Sequence, residues 1–243
     1  MNASLHPCEI CPLRRKDLFS PFSEHELEFM KKFRVGEERF ETGQVIYHEG
    51  EEMDVFYTAR HGQGARYRYL PNGDRQLVNF IFPGDTIGLQ AVLSDEAAST
   101  AIAASDMVLC KFSKSRLSEL FNESPQRAYS LVWIAAAEEH FLGEIITTLG
   151  QRDARERMAW ALMKIYSRLS ALNLVSDNSV PFPFKQRDLA DALGLSLVHT
   201  NKTLAQLRPL VRWDGTQLRV HDPQALSDIA MMDQGTPPER PLL

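Results

Sequence analysis

Residues 184–207 read FKQRDLADALGLSLVHTNKTLAQL, a pattern of helix, tight turn and helix. Over Gln186–Leu193, the residues Leu189, Ala190 and Leu193 recur at the spacing of neighbours on one helical face. Gly194 supplies a stop, because glycine accepts the left-handed backbone that ends helices. Ser196 stands where a hydroxyl can cap the free amides of a second helix. That helix is expected over Leu197–Leu207 and is ended by Pro209, since the residue before a proline is pushed out of helical geometry. Two helices joined by a short glycine-containing turn form the helix-turn-helix plan, whose second helix enters the DNA major groove. On it Leu204 and Leu207 face inward with Thr200 and Thr203, leaving Val198, His199, Asn201, Lys202 and Gln206 outside. Asn and Gln can pair bidentately with adenine, Lys can reach guanine, and Val198 can touch a thymine methyl. An ordinary helical hairpin with a polar surface shows the same local pattern, so the surrounding chain must decide.

Charge is distributed as a DNA contact at one end requires. The whole chain carries −5, but residues 185–220 hold six cations (Lys185, Arg187, Lys202, Arg208, Arg212, Arg219) against three anions (Asp188, Asp191, Asp214). This segment is therefore +3 and the remainder −8, and local positive charge is what phosphate contact needs. Lys185, Arg208 and Arg212 are the expected phosphate contacts. Hydrophobic content of 44% and charged content of 24% are those of a soluble globular protein. No apolar run reaches the roughly 18 residues of a membrane span. The stretch MNASLHPCEICPLRRKD lacks a signal peptide's apolar core, so a cytoplasmic location and no membrane partner are expected. Three cysteines, an odd number, argue against a disulfide framework.

Taken in order, residues 1–22 form an irregular segment with Cys8 and Cys11. Ser23, with Glu26 three residues on, marks the capping box of a short helix. Strand-like runs follow at 39–40, 45–47, 55–58, 65–69, 76–82, 100–103 and 107–112, with turn signals between them, among them Asn72-Gly73. Many short strands at this spacing predict a barrel or roll. A helix over 114–121 precedes a longer one from Pro125 to Leu149, whose stripe Leu131, Ile134, Ala135, Phe141, Leu142, Ile145 and Leu149 is close to a 3.5-residue repeat interrupted by Glu138. Such a helix between two domains is well placed to pair with its own copy through Leu131, Ile134, Glu138, Phe141, Ile145 and Leu149, with Gly150 as a hinge. Asp153 caps a further amphipathic helix with Met158, Leu162, Ile165 and Leu169 inward. A loop over 176–183 leads into the helix-turn-helix. Residues 211–213 and 217–220, joined by Asp214-Gly215, read as a two-stranded wing. The tail QGTPPERPLL is expected to be disordered.

The order of these parts resembles a Crp/Fnr-type transcription regulator over nearly the whole chain. Gly43, Gly50, Gly73, the run Pro83-Gly84-Asp85-Thr86-Ile87-Gly88 and the run LADALGLS at 189–196 carry the resemblance. Residues 194–204 are similar to an alphaproteobacterial-type subgroup of the Fnr-like branch. The implied fold is α+β: a cyclic-nucleotide-binding-like β-roll, a long dimerisation helix and a C-terminal winged helix-turn-helix. The implied segments are the N-terminal cysteine segment (1–22), the β-roll sensor (23–124), the dimerisation helix (125–150), the DNA-binding domain (153–233) and the tail (234–243). The implied activity is non-enzymatic: a homodimer binds palindromic double-stranded DNA, with RNA polymerase as a further partner.

Departures narrow the signal. The cyclic-AMP branch of the family has a Glu after the Gly-Asp-x-Ile-Gly motif and an Arg-Ser pair for the phosphate. Here Leu89 and Ser99-Thr100 stand there, so a buried phosphate would lack its bidentate partner, which argues against cyclic AMP. The oxygen-sensing branch holds a 4Fe–4S iron-sulfur cluster on three N-terminal cysteines and one on a late strand. Cys8, Cys11 and Cys110 match three of these, and Asp17 falls at the remaining position, with His6 as an alternative ligand. Cluster, zinc, thiol redox pair and no metal all stand as readings of these thiols. A metal-free regulator responding to a small ligand or another protein is the alternative to redox sensing. A thiol oxidoreductase is disfavoured, since Pro12 follows Cys11 outside any βαβ unit. A roll whose helix-turn-helix no longer touches DNA is the third class. In the reading helix, Leu197 and Val198 replace the family's usual Arg or Glu, which predicts an operator different from those of Crp and Fnr.

Overall fold

The alternating runs of the first half pair into two four-stranded sheets of a roll. The strands are β1 (Arg34–Phe40), β2 (Val45–Tyr47), β3 (Val55–His61), β4 (Gly64–Tyr69), β5 (Arg75–Ile81), β6 (Thr86–Ile87), β7 (Thr100–Ala103) and β8 (Met107–Ser113). Their order is β1-β8-β3-β6 in one sheet and β2-β7-β4-β5 in the other. The structure, a computed structural model, describes residues 7–233 and 238–243. It divides into unit 1, running to Gly73 and including Val78–Ala137 and Glu239–Leu243, and unit 2, Asp74–Leu77 with Glu138–Pro238.

In unit 1, Ser23 closes the predicted capping box: its amide donates to Glu26 Oε2 at 2.8 Å, and its hydroxyl accepts from the Glu26 amide at 3.2 Å. This starts α1 (Glu24–Phe33). The helix feeds a pile of rings that continues into both halves of the sheet: Phe29 to Phe33 at 5.3 Å, Phe33 to Phe112 at 5.6 Å, and Phe56 to Phe112 at 5.3 Å between centroids. Each such pair stabilises by about 0.5–1.5 kcal/mol beyond its buried area. Two elements escaped the sequence reading, β6 and the helix α2 (Leu89–Ser94), because both are too short to display a period. The segment expected to be one helix over 114–121 is a 3-10 turn at Lys114–Arg116 followed by α3 (Leu117–Glu123).

The long helix, α4, runs Pro125–Gln151 and contributes to both units, changing over after Ala137. It passes through Gly150 unbroken to Gln151, and Asp153 then caps α5 (Ala154–Ala171) with its carboxylate on the Arg155 and Glu156 amides. The stripe expected to meet a second copy is covered in part within the chain itself, while Ala135 and Leu142 stand exposed. Leu131 is 6% exposed in the unit 1 core and Ile134 packs against it, while in unit 2 Phe141 stacks on Trp160 at 6.1 Å. Glu138, Ile145 and Leu149 are half-buried on the same side. The residues α4 leaves in solvent include Tyr129 at 63%, Val132 at 58% and Ile146 at 71%. An apolar repeat reports only that a face is covered, and both a domain core and a partner helix satisfy it.

Unit 2 is built on α5, whose Met158, Leu162, Ile165 and Leu169 are buried as predicted. The helix-turn-helix pair is α6 (Gln186–Leu193) and α7 (Leu197–Leu207), both packed on α5. The wing has three strands and not two. Ser179–Pro181 (β9), read as loop, pairs antiparallel with Gln217–Val220 (β11), which pairs with Val211–Trp213 (β10). Phe182 and Phe184 then stack with each other at 4.9 Å, and Phe182 meets Trp213 at 5.2 Å, seating the sheet. A last helix, α8 (Pro223–Ala230), capped by Asp222, packs on α5.

The tail also departs from expectation. Of residues 234–243, those from 238 onward are described, and Leu242 and Leu243 are buried in unit 1. Composition alone predicts disorder there, but two leucines and an arginine find tertiary partners.

Candidate nucleic-acid interface and thiol cluster

The turn between α6 and α7 is set by backbone requirements that the sequence meets. Gly194 takes φ +63°, the left-handed conformation that ends α6, and its amide donates to Ala190 O. Ser196 Oγ accepts from the His199 amide at 3.2 Å and starts α7. The start of α6 is held from within its first turn, where Asp188 Oδ2 accepts from the Lys185 amide at 2.7 Å. Its other oxygen takes Arg75 Nη2 at 2.8 Å, and Arg75 Nε reaches Asp191 Oδ2 at 2.6 Å. Arg75 was invisible to sequence reading, because 113 residues separate it from Asp188.

One face of α7 is buried and the other is free. Thr200, Thr203 and Leu207 are buried, Leu204 is half-buried, and Val198, His199, Asn201, Lys202 and Gln206 are exposed. The residues expected to contact bases all lie in the exposed set, which also includes Leu197 and Ala205. Ser196 is also exposed, with its hydroxyl engaged as the cap. Lys185, Arg208 and Arg212, chosen for phosphate, are exposed as well. Thr203 Oγ1 donates back to His199 O at 2.9 Å, so this inward hydroxyl costs little. Thr200 Oγ1 is buried with no hydrogen-bond partner among the described residues. At the wing's turn, Asp214 accepts from the Gln217 and Thr216 amides and the Thr216 hydroxyl, which hold its carboxyl down to about 2.

The thiols gather in unit 1. Cys8 opens a 3-10 turn over Cys8–Ile10, closed by the Cys11 amide on Cys8 O at 3.2 Å, and Arg14 Nη1 donates to the same carbonyl at 3.2 Å. Cys110 sits on β8, opposite Glu37 of β1 and Thr58 of β3. Arg34 Nη1 lies 3.9 Å from Cys110 Sγ. Burial, with a smaller contribution from Cys11, pushes the Cys110 thiol up to about 11 against the pull of Arg34. Burial likewise raises Cys8, which also feels Arg34 and Cys11. These mutual influences put three thiols and one guanidinium in a single neighbourhood. Asp17 is exposed in the following turn, and His6 lies outside the described residues. Among the described residues, no group of three or more His, Cys, Asp or Glu side chains is close enough to hold one metal ion. The donor types suit a thiolate-bound group, while the side chains stand as neighbours and not as a closed cage. Arg34 is the residue that sequence reading missed here. Its position at the start of β1, paired with Phe112 two residues beyond Cys110, is a matter of strand register.

Comparisons with known proteins place the two domains in a family. Residues 37–124 match the cyclic nucleotide-binding domain, and residues 156–229 match the Crp-like helix-turn-helix domain. The chain is 32% identical over 204 residues to the nitrogen fixation regulation protein FixK of Bradyrhizobium diazoefficiens, covering 83% of this chain and 84% of that protein. The chain belongs to the Crp/Fnr family. It is also similar to the transcriptional activator protein FnrL of Cereibacter sphaeroides, at 26% identity over 84% of this chain and 82% of that one. Among solved structures it resembles FixK2 from Bradyrhizobium japonicum, with a TM-score of 0.69 and 25% identity over 79% of this chain and 96% of that one.

As a Crp/Fnr-type chain, it is a DNA-binding transcription regulator, and its similar proteins are named as regulators. In the roll, Ser99 and Thr100 are both buried, and Thr100 Oγ1 accepts from the Glu49 amide at 3.0 Å. No helix among the described residues is long and apolar enough to cross a membrane. The buried Thr200 hydroxyl makes a specific prediction for unit 2. Thr200→Val keeps the shape and removes an unpaired polar group, so it should stabilise the protein by about 1 kcal/mol in urea denaturation. Thr203→Val, which removes a satisfied hydroxyl, should give no such gain.

Proposed function

We propose that this Crp/Fnr regulator acts as a homodimer on a palindromic DNA site and responds to redox state at Cys8, Cys11 and Cys110. The observation that carries the DNA reading is the free face of α7, where Val198, His199, Asn201 and Lys202 stand exposed over a buried Thr200, Thr203 and Leu207. Two such helices belong about 34 Å apart on a twofold site, one turn of the duplex. RNA polymerase is the further partner that family membership suggests. Leu197 and Val198 favour an operator unlike the usual Crp and Fnr sites, and selection from random DNA should return a different palindrome. Lys202→Ala should weaken specific binding by about 1–3 kcal/mol if Lys202 reads a base. Equal losses on specific and random DNA, measured by gel shift at fixed salt, would reassign it to phosphate.

The dimer seam we propose is the solvent side of α4. Tyr129, Val132, Ala136, Gly143 and Ile146 fall, with Glu139 between them, at alternating steps of three and four residues. Ala136 and Gly143 are small enough for a second helix to approach closely, and nothing in the structure lies within 4 Å of a Cβ built on Gly143. Ile146→Glu should therefore give folded monomers in sedimentation velocity. A dimer that survives this change would place the seam elsewhere.

For the sensor, Cys8, Cys11 and Cys110 are the residues that would hold an iron-sulfur cluster, with Asp17 as the candidate fourth. Such a group, when bound, supplies an oxygen-labile centre. The chain's own contribution is Arg34, whose cation offsets the negative charge of gathered thiolates. The same contact favours a second reading, in which the thiols act without metal, since the guanidinium already stands against Cys110 Sγ. Protein purified without oxygen should be coloured and contain iron and sulfide. Colourless, iron-free protein would leave the second reading, with zinc analysis separating a metal from bare thiols.

A further inference from the structure

The segment Glu239–Leu243 is described in unit 1, although the α8 helix that precedes it belongs to unit 2. It behaves in the structure as a bound peptide. Arg240 forms a parallel bridge to Phe19: its amide donates to Leu18 O at 2.8 Å, and its carbonyl accepts from the Ser20 amide at 2.8 Å. Arg240 Nη2 lies 3.4 Å from Asp85 Oδ1. Leu242 and Leu243 are buried, and Leu243 joins the unit 1 core. Leu242 O accepts from Arg127 Nη1 at 3.2 Å.

The receiving surface is made of parts that do not come from the segment. Gly84 takes φ +89°, and a Cβ there would lie 2.1 Å from Phe19 Cζ, so only glycine lets the Phe19 ring sit on the Pro83-Gly84-Asp85 turn. That turn therefore places both the edge that pairs with Arg240 and the carboxylate that meets its guanidinium. Arg127, buried at the other end, is fixed by Glu26 Oε1 at 2.7 Å and by the Phe22 ring, 4.6 Å from its guanidinium carbon. Backbone pairing at an edge, a charge at one end and two apolar anchors at the other are the elements by which sheets capture extended peptides.

We infer that this surface is a peptide-binding groove of unit 1, and that residues 239–243, Glu-Arg-Pro-Leu-Leu, are its resident ligand, held in cis and detachable. The segment has no hydrogen bond within itself among those described, and a short piece held by two ladder bonds, the Arg127 hydrogen bond to Leu242 O, one ion pair and two apolar side chains opens locally before the domain does. Covalent attachment supplies it at an effective concentration on the millimolar scale, which keeps weaker extended peptides of the same chemistry out. Release uncovers the Phe19 edge, Asp85 and Arg127 Nη1 together, presenting a site for an arginine followed two residues later by a pair of leucines.

Two experiments on the full chain test this. In hydrogen exchange of the unaltered protein, the Arg240 and Ser20 amides should exchange at least roughly a hundredfold faster than those of β3. Exchange of both only through global unfolding would overturn detachment. In the second, an amidated, fluorescein-labelled Glu-Arg-Pro-Leu-Leu peptide is titrated by anisotropy into a full-length variant whose own segment is disabled by Arg240→Ala and Leu243→Asp. The peptide should bind this variant at least roughly tenfold more tightly than it binds wild type, and adding Asp85→Asn should reverse most of that gain. Absence of saturable binding to the variant, with its fold checked by circular dichroism, or equal affinity for wild type, would overturn the groove.

Discussion

A helix offers only one free face once another is packed, and the burial of Thr200, Thr203 and Leu207 decides which face of α7 is free. Lys202 and Asn201 point outward because the residues one turn away are committed to α5 and α6. The caps at either side of the turn, Gly194 and Ser196, hold the two helices at fixed ends, so the exposed residues are presented from a rigid support and not from a loop. Two inward threonines weaken this anchor relative to aliphatic residues. Thr203 limits its cost by bonding back to His199 O, whereas Thr200 leaves a hydroxyl unpaired.

The roll shows how a short motif can serve a structural task. Pro83-Gly84-Asp85 makes a turn, and the missing Cβ of Gly84 is what admits Phe19, so the cysteine-bearing segment before it is seated on the roll by a steric vacancy. Arg14 and Arg127 both lie over Phe22, and Arg14 also holds the Cys8 carbonyl. A buried cation such as Arg127 is costly unless every donor finds an acceptor, and here the acceptors come from α1 and from the segment at 239–243.

The hairpin at Asn72-Gly73, the capping boxes at Ser23 and Asp153, and the turn at Gly194 were legible in the sequence, because each is a local requirement met by residues within four positions. The exposed face of α7 was legible for the same reason: helical period fixes it once one inward residue is known. Local pattern leaves open which of two tertiary outcomes an apolar stripe serves. Leu131 is buried in unit 1 and Phe141 stacks on Trp160 in unit 2, while Tyr129, Val132 and Ile146 of the same helix stand exposed.

The sequence by itself determined the family, the order of the parts and the residues that the reading helix exposes, since these follow from period, caps and turns over short separations. Only the tertiary structure decided that Arg34 stands among the thiols, that Arg75 clamps Asp188 and Asp191, that Ser179–Pro181 completes the wing, and that Arg240, Leu242 and Leu243 pack in place of a disordered tail. Each of these is a pairing across tens to hundreds of residues. No local pattern encodes its partner, and its energy appears only when strand register and core packing have brought the two sides together.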